Sequence, residues 1–257
     1  MPKTETYRTD IASSTPDSIT VFGRDLPSEI LGTLNFGDMA FLELTLRVPD
    51  EKESRMFNAM LVTLVEHGLT PSTLVARLTY LGAPESLQGA VAAGLNGLGS
   101  VFVGSTEGAA KMLYEAPEAL EGEDLRKIAE QVVEQFELEK KQIPGIGHPF
   151  HKPVDPRAPR LIQIAQETGF DGRYLTLIQE IAHIAGERKG RDLPANATGI
   201  LGALCCEMGL DWKICRGLGV MARAVGIVGH LLEEAREPIA RKLWLETEAR
   251  ATEQEIK

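Results

Sequence analysis

The sequence predicts a mainly α-helical protein, and three observations carry that expectation. Apolar residues recur at three- and four-residue intervals, the period of one helix face. Only one short run, Ser18–Phe22 (SITVF), has the β-branched character of a strand. Aromatic residues make up only 5% of the chain, and no internal repeat is visible, so a helical solenoid is not expected.

Taken in order, the strand candidate Ser18–Phe22 is followed by a turn-like Gly23-Arg24-Asp25. Met56 and Phe57, Met60 and Leu61, then Leu64 and Val65 make a two-wide apolar stripe at a spacing of four, which predicts a helix with one buried face. Leu125, Ile128, Val132, Val133 and Phe136 recur between Glu and Lys residues and predict a half-exposed amphipathic helix, stopped by Pro144 and the glycines beside it. From Trp212 to Leu232 the chain is nearly all apolar or small, with Gly217, Gly219, Gly226 and Gly229 interspersed. That stretch reads as a core helix packed closely through its small face, too short and too interrupted to span a bilayer. Two segments break the pattern and read as functional loops. Pro144–Arg160 (PGIGHPFHKPVDPRAPR) holds five prolines, two glycines, two histidines and three basic residues. Gly186–Gly199 (GERKGRDLPANATG) gathers Arg188, Lys189 and Arg191 inside an acidic protein. Both carry groups suited to anions.

Composition narrows the classes of function. The 257 residues, 43% hydrophobic and 25% charged, fit one large or two modest globular domains. No uninterrupted apolar run reaches the roughly 18 residues of a membrane helix, and the polar start MPKTETYRTDIASSTPD lacks the apolar core of a signal peptide. Cys205, Cys206 and Cys215 lack zinc-site spacing and read as buried free thiols, which suits a cytoplasmic location. The net charge of −10 argues against general affinity for nucleic acid or anionic membrane, while leaving room for a local basic pocket. The histidines are scattered and the carboxylates unclustered, so no metal is expected.

The loop G-I-G-H-P-F-H-K-P-V-D-P-R-A resembles the citrate synthase signature, G-x-G-H followed by D-P-R, on Gly145, Gly147, His148, Asp155, Pro156 and Arg157. Upstream, Glu66–Arg77 (EHGLTPSTLVAR) is similar to the family's H-E-L-N-A-S-T-F-x-x-R segment, with His67 at its histidine. Downstream, Asn196–Gly202 (NATGILG) resembles N-V-D-x-x-x-G, and Ala222–His230 (ARAVGIVGH) resembles A-R-x-x-G-x-x-A-H. The likeness runs from about Ser18 to the C-terminus, in the family's order, and the short length looks like the citryl-CoA lyase type. The resemblance implies an all-helical fold with a large domain (1–104 and 196–257), an inserted small CoA-binding domain (105–195), and a homodimer. It implies acyl-CoA and keto- or hydroxy-acid substrates, with a coenzyme A thioester as the group acted on.

It also assigns roles. His148 would serve the keto oxygen, and His67, Arg157 and Arg223 would hold the carboxylates, with Arg241 reaching a neighbouring subunit's site. Gly145, Ile146, Gly147, Arg188, Lys189, Arg191 and Asn196 would meet CoA. Two positions depart from the family: Val103 (Phe102 if the register shifts by one) stands where the enolate-stabilising histidine belongs, and Thr198 where the aspartate base belongs. Valine cannot donate a hydrogen bond and a threonine hydroxyl is no base near neutrality; losing one enolate donor costs about 2.7–4 kcal/mol of barrier. Ordinary citrate synthesis is therefore disfavoured. Three readings remain: a carbon–carbon lyase or synthase of citryl-CoA or a related 3-hydroxy-3-carboxyacyl-CoA, with His148 as base and Glu107 or Thr198 protonating the enolate; other thioester chemistry such as hydrolysis; and CoA or dicarboxylate binding without turnover.

Plainer roles exist for each residue. Arg157 could pair with Asp155, Arg223 with a buried acid, and Glu107 could offset a helix dipole. Arg188, Lys189 and Arg191 could be a solvated charge run. His183 reads as structural, His230 as a core histidine bonded to a carbonyl, and His151 as a surface residue.

Overall fold

The computed structural model describes residues 7–117, 124–147 and 152–253. The chain divides into two units, Met1–Asn58 and Ala59–Lys257.

The first unit opens with a three-stranded antiparallel meander, β1 (Ala12–Ser14), β2 (Ile19–Val21) and β3 (Arg24–Asp25), in the order β1-β2-β3. The strand expected at Ser18–Phe22 is thus β2. The turn lies one step earlier than expected, because Phe22 and Gly23 both take positive φ (48° and 76°), which frees Arg24 and Asp25 to pair with Val21 and Thr20. A π-helical turn, Leu26–Ile30, follows, and then α1 (Phe36–Thr45), N-capped by Asn35 Oδ1 accepting from Asp38 N. Val21, Ile30 and Leu42 form the core of this unit. The helix α2 (Glu51–Val65) starts at a capping box, in which Asp50 Oδ1 accepts from Glu53 N and Glu53 Oε2 accepts from Asp50 N. Its predicted stripe is buried at Met56, Phe57, Met60 and Leu61.

The second unit is helical: α3 (Pro71–Gly82), α4 (Leu87–Asn96), α5 (Gly104–Glu115), α6 (Leu125–Leu138), α7 (Arg157–Thr168), α8 (Arg173–Lys189), α9 (Ala197–Glu207), α10 (Cys215–Arg236) and α11 (Ala240–Thr252). The fold is all-helical apart from the small meander, as the sequence predicts. Ile128, Val132 and Val133 of α6 are buried, and the helix packs on α8. It ends well before Pro144, because Lys140 turns the chain at φ 54°. The Gly186–Gly199 segment is less of a loop than expected. α8 runs through Lys189 to a left-handed Gly190 cap, and α9 begins at Ala197, so irregular backbone is confined to the linker between them.

α3, α4 and α10 pack around Ala76, Ala90, Ile227 and Leu231. The glycines of α10 continue the helix rather than interrupt it, and with its preceding 3₁₀ turn the segment Trp212–Arg236 is long and apolar enough, by length and composition, to cross a membrane. Its burial is one-sided: Leu218, Ala222, Ile227 and Leu231 are buried, whereas Val225, Val228 and Leu232 face outward. The expected fully buried core helix is therefore half open. Cys205, Cys206 and Cys215 are free and buried; contact with Cys215 together with burial raises Cys205, and burial pushes Cys206 up to about 12.

Candidate active site

The glycine loop and the start of α9 are built as one piece. Asn196 N donates to Gly145 O (2.9 Å), Gly147 N donates to Pro194 O (2.8 Å), and Ile146 bridges Ala195 in antiparallel fashion. Asn196 Nδ2 also donates to Gly147 O. Gly145 (φ 83°) and Gly199 approach so closely that a Cβ on Gly199 would sit 2.2 Å from Gly145 O, and one on Gly145 would sit 2.4 Å from Gly199 Cα. No side chain fits at either position. The backbone just before His148 is therefore clamped to the helix that carries Thr198. His148 and His151 themselves lie outside the described residues.

Asn196 is the α9 N-cap. Its Oδ1 accepts from Thr198 N (3.0 Å), Gly199 N (3.1 Å) and the Thr198 hydroxyl (2.7 Å). Thr198 thus spends its only proton on the cap and offers lone pairs to whatever lies beyond. Across the α5–α9 contact, Val103 precedes α5, and the hollow left by Gly219 on α10 receives its methyl: a Cβ there would lie 2.3 Å from Val103 Cγ1. Glu107, in the first turn of α5, pairs with Arg216 Nε at 2.6 Å. Val103 and the Thr198 proton are taken up by local contacts; Glu107 has its ion pair, although its buried Oε2 makes no aligned hydrogen bond among the described residues.

The cationic side differs. Arg223 on α10 is half-buried, and its Nη1 is buried without a hydrogen-bond partner among the described residues. Burial lowers its pKa below the ordinary arginine value, Glu66 opposes that shift, and the like charge of Arg157 adds to it. Arg157, at the first turn of α7, gives Nε (3.0 Å) and Nη2 (2.8 Å) to the buried Asp155. Asp155 also accepts from Arg157 N (3.1 Å) and Ala197 N (3.1 Å). Burial pushes the Asp155 carboxyl up, but Arg157 and these backbone donors outweigh it and hold it at about 2. Asp155 thereby ties the D-P-R motif to the start of α9 and orients the Arg157 fork. His67 is exposed in the turn between α2 and α3, and Arg241 is exposed on α11.

Of the three basic residues at the end of α8 and in the α8–α9 linker, Lys189 and Arg191 line a cavity of about 850 Å³ together with Lys152, Ile146, Gly147 and Leu193. Arg188 turns away and pairs with Glu137 of α6 at 2.7 Å. His183 pairs with Glu187 on the surface of α8. His230 bonds a carboxylate rather than the expected carbonyl: its Nε2 lies 3.2 Å from Glu66 Oε2 and its Nδ1 2.9 Å from Arg77 Nη2. Glu66, Arg77 and Lys152 were not among the sequence-based site candidates. A basic residue inside the apolar stripe of α3 was the available signal for Arg77. Among the described residues, no group of three or more His, Cys, Asp or Glu is placed to hold a metal ion.

Known proteins share this sequence pattern and this fold. The family model "Citrate synthase, C-terminal domain" matches residues 29–243. Citrate synthase 2 of Bacillus subtilis is 28% identical over 191 residues, 72% of this chain and 48% of its own length, so the chain spans about half the length of that curated relative. The structure of citryl-CoA lyase from Hydrogenobacter thermophilus aligns with a TM-score of 0.80 at 33% identity, covering 90% of this chain and 87% of that one. ATP citrate lyase from Methanothrix soehngenii, solved in complex with citrate and coenzyme A, aligns with a TM-score of 0.74 at 21% identity, covering 92% of this chain and 40% of that one, a likeness of fold.

Proposed function

Because the chain belongs to the citrate synthase family, we propose that it is a CoA-thioester carbon–carbon lyase or synthase acting on citryl-CoA or a related 3-hydroxy-3-carboxyacyl-CoA. The observation that carries the reading is Arg223. A half-buried guanidinium with a buried nitrogen that finds no partner among the described residues, beside a second arginine, is costly unless an anion completes it, and a substrate carboxylate supplies one. Arg223, Arg157 and His67 hold the acid. The glycine loop, Asn196, Lys152, Lys189 and Arg191 receive CoA, with basic side chains meeting its phosphates; the orientation of Arg188 toward Glu137 does not favour its expected part in this.

In cleavage, His148 takes the proton of the tertiary hydroxyl, the carbon–carbon bond breaks, the oxygen becomes the keto group of the departing acid, and the bonding pair passes to the acyl-CoA enolate. The enolate carbon then needs a proton. Thr198 Oγ1, its own proton directed at Asn196, accepts a hydrogen bond from a water. That water gives its other proton to the carbon, and the His148 imidazolium returns the proton it took to the hydroxide left behind, so base and water are both regenerated. Glu107, tied to Arg216, is the less suited donor. We further propose the division into a large part (1–104 and 196–257) and a CoA-binding part (105–195). A second copy of the chain would cover the outward Val225, Val228 and Leu232, with Arg241 contributing across that contact, and the buried thiols suit a reducing, cytoplasmic setting.

The test is incubation with citryl-CoA and mass-spectrometric analysis. Release of acetyl-CoA and oxaloacetate, abolished by His148→Ala, is the expected result. Free CoA with intact citrate would move the assignment to hydrolysis. Binding without turnover across a panel of such thioesters would favour a non-catalytic relative, a reading supported by the way Val103 is spent on packing and the Thr198 proton on the helix cap.

A further inference from the structure

Five charged or titratable side chains form a chain from the interior of the second unit to the turn that carries His67, and the catalytic scheme above uses none of them. Arg77 on α3 is fully buried, with 0% exposure. Its Nη1 donates to Glu234 Oε2 at 2.9 Å, and its Nη2 donates to Glu233. Glu234 is fixed in turn, since its other oxygen accepts from Ile239 N (3.0 Å) and Ala240 N (2.8 Å) at the start of α11. Arg77 Nη2 also faces His230 Nδ1 at 2.9 Å. A guanidinium has no lone pair to offer, so Nδ1 is the acceptor and the ring proton sits on Nε2. That proton points at Glu66 Oε2, 3.2 Å away, and the same oxygen accepts from Gly68 N at 3.1 Å. Glu66 and Gly68 flank His67, and Gly68 lies at φ 71°. The turn can approach α10 this closely because residue 226 is glycine: a Cβ there would sit 2.2 Å from Val65 O and 2.6 Å from Glu66 Oε1.

An apolar contact would join α3 and α10 at less desolvation cost than a buried arginine. What the polar chain adds is reach. It ends on a carboxylate that is 48% exposed, adjacent in sequence to His67 and close enough to Arg223 to favour its charge. We infer that His230 and Arg77 are positioning residues for the acid-binding side of the site: through Glu66 they fix the His67 turn and set the field beside Arg223. The inference rests on the proposed roles of His67 and Arg223 as acid-binding residues.

Calorimetric titration of the full chain with citrate, and separately with coenzyme A, tests it. His230→Ala should weaken citrate binding on the order of tenfold with CoA affinity unchanged. His230→Gln, whose amide oxygen and nitrogen reproduce the acceptor and donor of the ring, should recover most of that loss. Equal citrate affinity in wild type and His230→Ala overturns the inference. So does a parallel loss of citrate and CoA binding that glutamine does not rescue, the mark of a structural pin. If His230→Ala does not fold, the half-exposed end of the chain supplies the comparison: Glu66→Ala and Glu66→Gln remove the same charge, but only alanine removes the tether. Citrate should bind Glu66→Ala more weakly than Glu66→Gln, and equal affinities overturn the inference. Wild-type protein that binds CoA but no citrate overturns the acid-site reading itself, a failure visible before any variant is made.

Discussion

On the proposed acid side of the site, Arg223 keeps a buried nitrogen with no hydrogen-bond partner among the described residues, beside the like charge of Arg157. On the proposed acyl side, Val103 sits in the hollow of Gly219 and Thr198 gives its proton to Asn196. The first arrangement is unsatisfied without a ligand and the second is satisfied without one. A charge held at a desolvation cost points outward to its missing partner, whereas a side chain whose needs are met by its own helix cap says little about substrate. That difference is why the proposed acid-binding role rests on geometry, while the proposed chemistry at the acyl carbon falls to His148 and to solvent.

The largest expected effect falls on the clamp both sides share. Gly199→Ala places a Cβ 2.2 Å from Gly145 O and should cost about 3 kcal/mol of stability, read by urea unfolding. A near-neutral result would show the two segments free to part. Arg223→Met should lower citrate affinity on the order of a hundredfold by calorimetry, with unfolding stability unchanged or raised, because it removes a half-buried guanidinium whose Nη1 has no hydrogen-bond partner among the described residues. A marked fall in stability would instead reveal an internal acid partner and erase the contrast between the two sides.

Asp155→Asn should cost about 2 kcal/mol at neutral pH. The folded carboxyl titrates at about 2, below its ordinary 3.8. Its contribution is therefore fully present above the unfolded value and is lost as pH falls through the folded one. The gap between wild type and variant, followed by denaturant unfolding, should stay constant above about pH 5 and close toward pH 2. Smallest is Val103→Ala, expected to cost about 1 kcal/mol by emptying the Gly219 hollow and to leave citrate affinity unchanged; a loss of affinity would place Val103 on the acid side after all.

Much of this was legible in the chain. The stripe Met56/Phe57/Met60/Leu61 and the one-sided α6 follow from the helical period alone, because burial selects apolar residues every three or four positions. The motif residues Gly145, Gly147, Asp155, Arg157, Asn196 and Arg223 were legible as a constellation through the resemblance of their segments, in order, to the citrate synthase family. Their partners were not. Nothing local says that Arg188 turns to Glu137 across 51 residues, or that Arg77 meets Glu234 across 157. Helix ends were also misplaced where a single residue takes positive φ, as Lys140 does, since that depends on the path of the following chain rather than on propensity.

The sequence by itself determined the helical class, the family and the kinds of residue in the site, because periodicity, glycine and motif spacing are properties of the chain. Tertiary structure decided which of those residues remain available to a ligand. Availability depends on which neighbours satisfy each polar group: Thr198 is claimed by Asn196, Glu107 by Arg216, Arg188 by Glu137, and Arg223 Nη1 by no described residue. Apart from the local Asn196–Thr198 cap, those pairings arise only when distant segments pack, and they separate the charge that has no partner among the described residues from those that have one.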